Sequence, residues 1–123
     1  MKFLCLAYYD EKAFEALPKD QVEAIVSKCP PHDKALRDTG KMISVASLNA
    51  SRDSVSIRPK NGKPVITDGP FAEAKEVLGS FFLIEAANKE EAVRIASLHP
   101  AAHLGETVGW GVEVRPIDYF DEP

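Results

Sequence analysis

Phe81-Phe82-Leu83-Ile84-Glu85-Ala86-Ala87 carries apolar side chains at odd and even positions alike. A strand sends successive side chains to opposite faces, so a run of this kind is covered on both of them and belongs to the centre of a sheet. Lys2 to Tyr9 has the same character. These two runs are expected to form the inner pair of strands, and the remaining elements can be placed around them. Asn88, with Glu91 three residues on, marks a helix N-terminus of the capping-box kind. The helix that follows carries Ala92, Val93, Ile95, Ala96 and Leu98, and His99-Pro100 stops it, because the residue before a proline is pushed out of the helical region. Trp110 to Ile117 closes the chain as a strand, with Trp110, Val112 and Val114 on one face and Glu113 and Arg115 on the other.

Toward the N-terminus, Ser54 to Arg58 and Lys63 to Thr67 flank Asn61-Gly62, a pair suited to a two-residue hairpin turn with positive φ. Pro59 and Pro64 confine these two strands to sheet edges. Met42 to Leu48 is a further strand. Leu17, Val22, Ile25, Val26 and Cys29 recur at helical spacing. A first helical turn accepts proline, so Pro30-Pro31 opens a second helix that runs to Asp38 and stops at Gly40. Asp10-Glu11-Lys12 reads as an acidic loop after the first strand. The order is strand, helix, strand, inserted hairpin, strand, helix, strand. That predicts the α+β class: a ferredoxin-like βαββαβ sandwich with an inserted β-hairpin. Helices cover only one face of such a sheet. The other apolar face calls for a partner, most simply the same sheet of a second subunit, which gives a homodimer of the dimeric α+β barrel type.

The chain has 123 residues, enough for one domain spanning 1–123 with a core of its own. Hydrophobic residues make up 45% and charged residues 28%, ordinary proportions for a globular protein. A net charge of -4 speaks against nucleic acid or an anionic membrane as partner. Nothing approaches the ~20 apolar residues of a membrane span. Asp10-Glu11-Lys12 interrupts the apolar N-terminus before it could act as an export signal, so a cytoplasmic location is expected. Cys5 and Cys29 lack C-x-x-C spacing and are expected to be free thiols, with Cys5 inert inside a strand.

Thr67-Asp68-Gly69-Pro70-Phe71, followed by Ala72-Glu73-Ala74-Lys75-Glu76, forms a tight turn able to hold a carboxylate at the mouth of a sheet. The chain resembles the YCII-related protein family, and its DGPF-domain subgroup, in this run. It also does so in Cys29 to Leu36, Gly79 to Ala87, Ser97-Leu98-His99-Pro100-Ala101-Ala102 and Glu113 to Ile117. The resemblance implies a dimeric ferredoxin-like fold and a small cofactor-independent isomerase or lyase. Its His-Asp pair would exchange protons with a small anionic carboxylate or a lactone. The alternative it leaves is non-catalytic, a small-molecule-binding or adaptor dimer with a regulatory protein partner in sigma-factor signalling. The family's candidate histidine follows a proline at a helix start, the place of His32 here; its partner would be Asp68, with Asp33 as the alternative.

A histidine in a first helical turn is disfavoured as imidazolium by the helix dipole, which suits a general base. It can equally pack on the sheet and bond to a backbone carbonyl. Asp68 can orient that base or simply stabilise its own turn. Arg115 can bind an anionic ligand through its planar fork, or pair with Glu113 two positions away. Glu73 and Lys75 can border the same cleft or belong to a solvated charged surface. His99, His103 and Glu106 suggest a metal site, but Pro100 disfavours the helix that would align the histidines, so no metal is expected. No phosphate-binding glycine pattern and no G-x-S-x-G nucleophile is present.

Overall fold

The computed structural model describes residues 1–123 of the chain. Its main sheet has four strands: β1 (Lys2–Asp10), β2 (Met42–Ser47), β5 (Glu76–Glu85) and β6 (Gly111–Pro116). They lie in the order β2-β5-β1-β6, each antiparallel to its neighbour. The two runs apolar on both faces are thus the inner pair. This is the interleaved order of a split βαβ sandwich. The inserted hairpin, β3 (Val55–Lys60) with β4 (Lys63–Asp68), forms a two-stranded sheet of its own. Asn61 at φ 53° and Gly62 at φ 76° make its turn. Pro59 and Pro64 face each other across the ribbon, where both strands are edges.

The helical layer lies on one face of the main sheet. α2 (Lys19–Val26), α3 (Cys29–Asp38) and α4 (Lys89–Ala96) are joined by α1 (Glu11–Glu15), where an acidic loop was expected. Asp10 caps α1 by accepting the Ala13 N–H at 3.1 Å. Asn88 caps α4 by accepting the Glu91 N–H at 2.9 Å, as its spacing predicted. Phe3, Cys5, Phe82 and Ile84 from the inner strands meet Leu36 of α3 and Ala92, Ile95 and Ala96 of α4 in a closed core. Burial pushes the Cys5 thiol up to about 12, so it stays protonated and unreactive.

The opposite face of the sheet has no helices. There Leu4 stands across from Leu83 and Leu6 across from Phe81. Leu4, Leu6 and Phe81 are only half-buried. Glu113 and Arg115 border them on β6, joined by an ion pair with Arg115 Nε at 3.0 Å and Nη2 at 2.5 Å from Glu113 Oε2. No helix is long and apolar enough to cross a membrane.

Candidate functional site

The regular pairing of β1 with β5 fails at one residue. Ala7 pairs with Ser80 but Tyr8 pairs with Leu78, which leaves Gly79 as the extra residue of a bulge. A Cβ at Gly79 would lie 2.9 Å from Tyr9 Cδ1, so glycine is what allows the Tyr9 ring to lie across the strand. A cleft of about 340 Å³ opens at this point between sheet and helical layer. The strands contribute Ala7, Ser47, Gly79 and Ser80 to it. Tyr9, Phe14 and Trp110 contribute three aromatic rings; Cys29, Asp33 and the segment His99 to Ala101 supply the rest of the lining, with Tyr8 and Leu48.

The aromatic side is built by contacts among distant residues. Phe14 of α1 stacks on Trp110 at 6.4 Å between centroids and meets Tyr9 edge-on at 5.8 Å. Trp110 in turn packs over Gly105, whose φ of +71° favours glycine. The Tyr9 hydroxyl donates to Glu11 Oε2 at 3.1 Å, and the Ser51 N–H donates to the same oxygen at 2.9 Å. The Ser51 hydroxyl donates to the other oxygen of Glu11. These Ser51 bonds hold the Glu11 carboxyl below its ordinary range. Burial, reinforced by the bond to Glu11, pushes the Tyr9 phenol up to about 12. Tyr9 is therefore a neutral wall of the cleft.

His99 and Asp33 form its polar side. The residue before Pro100 is extended, with φ −63° and ψ 144°, and so His99 acts as the cap of the 3-10 turn Pro100–Ala102. Its Nδ1 accepts the Ala101 N–H at 3.0 Å. That assigns the proton of the neutral ring to Nε2. The ring lies flat on Phe82, with centroids 4.8 Å apart and planes 3° from parallel. Burial lowers the His99 pKa from its ordinary value, and the charge of Asp33 partly opposes that shift. Asp33 stands one helical turn after Cys29, so both reach the cleft from one face of α3. Burial, with a smaller contribution from Asp33, raises the Cys29 pKa and keeps it a thiol.

The structure brings the expected residues to several different places. His32 does not line the cleft: its ring stacks on His103 at 4.8 Å, and His103 Nε2 donates to the Ser97 carbonyl at 2.5 Å. Asp68 is exposed at the end of β4, opposite Val55. The glycine-proline turn after it folds back onto the hairpin, with Gly69 N–H donating to Ser54 at 2.7 Å and Arg58 stacked on Phe71 at 3.7 Å. Asp33, the alternative partner, does line the cleft. Glu73 and Lys75 border a separate concavity of about 680 Å³ with Glu11 and Arg52. Arg115 lies on the helix-free face in its pair with Glu113. His99 and His103 point to different partners, so the spacing that suggested a metal pair does not bring them together. Sequence reasoning read His99 as a helix stop. The His-Pro step and the lone Gly79 inside an apolar strand are local signals that point toward this cleft without joining the residues that line it.

The family model of the YCII-related domain matches residues 1–118. An uncharacterized protein of Rhizobium meliloti (strain 1021) is 31% identical to this chain over 120 residues, which cover 98% of this chain and 94% of that one.

Proposed function

This chain belongs to the YCII-related domain family, and we propose that it is a cofactor-independent proton-transfer enzyme, an isomerase or lyase, working in the cleft at the Gly79 bulge. The observation that carries this reading is a half-buried His99 lying flat on Phe82, its Nδ1 occupied by a backbone N–H, with the exposed Asp33 carboxylate lining the same cleft. In that arrangement the roles are those of base and donor. Asp33 takes a proton from a carbon next to a carbonyl. His99 Nε2–H donates to the carbonyl oxygen as negative charge gathers there. The protonated Asp33 returns the proton to a different carbon, which completes an isomerisation. A neutral imidazole is a suitable donor here because its own proton stays in place at the end of the cycle. The test is the titration of the His99 ring with and without the charge of Asp33, developed at the end of the Discussion.

The same reading includes a homodimer formed through the helix-free faces of the sheets. The half-buried Leu4, Leu6 and Phe81 support it, since a face of this kind is covered in a stable assembly. Sedimentation equilibrium is expected to give twice the chain mass at micromolar concentration; a monomer at all concentrations would contradict it. Asp68-Gly69-Pro70-Phe71 supports assignment to the DGPF subgroup. On this reading His32, stacked on His103, and Asp68, exposed at the end of β4, stand outside the chemistry, and His32→Ala is expected to leave the chemistry at His99 intact.

A further inference from the structure

Asp33 is the single charged side chain among the residues that line the cleft. The cations that would hold an anionic ligand lie elsewhere. Arg115 is paired with Glu113 on the far face of the sheet, and Lys75 borders the second concavity. Asp33 is exposed, so solvent screens part of its charge, but a carboxylate entering the cleft would still meet that charge without a counter-charge in the lining. The other polar groups free for a ligand are two hydroxyls, which donate or accept, and one ring N–H. Ser47 and Ser80 stand directly opposite each other on β2 and β5, and both line the cleft. His99 Nε2–H is a third donor, because Nδ1 is already engaged. Three donors call for an acceptor oxygen on the ligand. A ring-bearing cation would suit Asp33 and could bond to the hydroxyls, but it offers no acceptor to His99 Nε2–H, which can only donate. The Tyr9, Phe14 and Trp110 rings present apolar surface suited to a flat ring.

We infer, building on the acid–base reading above, that the cleft takes an uncharged planar ring bearing a carbonyl oxygen, an unsaturated lactone or cyclic enone, in preference to a free carboxylate or a ring-bearing cation. The carbonyl oxygen sits among the Ser47 and Ser80 hydroxyls and His99 Nε2, and the ring lies toward Trp110. Asp33 faces the carbon that loses its proton.

The test uses three probes that share a benzene ring and differ in charge: phthalide, an uncharged lactone; benzoate; and benzylamine. Binding is followed by the fluorescence of Trp110, the one tryptophan of the chain. Phthalide is expected to bind at least about tenfold more tightly than either charged probe. The Ser47→Ala/Ser80→Ala double variant should weaken phthalide by about tenfold, the loss of roughly one net hydrogen bond. Should that variant fail to fold, Asp33→Asn carries the test, since it should narrow the gap by tightening benzoate. Benzoate or benzylamine binding as tightly as phthalide would overturn the inference, and so would no binding by any probe at millimolar concentration. Either result leaves the acid–base reading to be decided separately by the His99 ring titration, which needs no ligand.

Discussion

Gly105→Ala is expected to lower unfolding stability by about 3 kcal/mol and to change the environment of Trp110. Two effects add. Alanine at φ +71° costs about 1 kcal/mol of backbone strain. A Cβ there would also lie 2.3 Å from Trp110 Cδ2, which no rearrangement smaller than movement of the indole can relieve. Overpacking of that kind costs about 1–3 kcal/mol. Gly40→Ala separates the two terms, because Gly40 has a similar φ of +69° with nothing within 4 Å of the added Cβ. Its cost should stay near 1 kcal/mol. Urea denaturation measures both, and tryptophan emission reports the indole directly. Equal costs for the two variants, or an unchanged emission in Gly105→Ala, would show that Trp110 does not lean on Gly105. The consequence for the site follows from the stacking: once Trp110 moves, Phe14 loses its partner and the aromatic side of the cleft opens.

Phe82→Ala is expected to cost about 4 kcal/mol, the middle of the range for removing a buried phenylalanine. Phe82 is fully closed off from solvent and stands at the centre of the core shared by the sheet, α3 and α4. It is also the surface on which the His99 ring lies. The substitution should therefore act twice, lowering the denaturation midpoint and wetting the imidazole. With burial relieved, the His99 titration should move back up toward its ordinary value. Phe82→Leu keeps an apolar contact at both places, and should cost less than half as much while leaving the ring's titration low. A loss below 1 kcal/mol for Phe82→Ala would mean that the sheet and helical layers are not packed through this residue.

Much of the fold was legible because its signals are local. The two runs apolar on both faces identified the inner strands, Asn61-Gly62 gave the hairpin turn, and Asn88 and Pro30-Pro31 gave two helix starts. α1 was not legible. It is only five residues long and rests on the Asp10 cap and on Phe14 reaching Trp110, a contact between opposite ends of the chain. The candidate site was hidden for the same reason. His32 stood out through its place at a helix start, whereas His99 depends on Phe82 for its burial, on Ala101 for its tautomer and on Asp33 for the charge that shares its cleft. None of these relations is a spacing within one element. Asp33 itself was within reach, since Cys29 and Asp33 lie one helical turn apart and must share a face.

The most direct measurement is proton–nitrogen NMR of the His99 ring across the pH range, in the wild type and in Asp33→Asn. The account predicts a neutral ring with its proton on Nε2 and a titration midpoint below the reference of about 6.5. Because the negative charge of Asp33 favours the imidazolium, its removal should lower the midpoint further. A proton on Nδ1, or a midpoint at or above the reference that ignores Asp33→Asn, would contradict the central claim that these two side chains work as a pair.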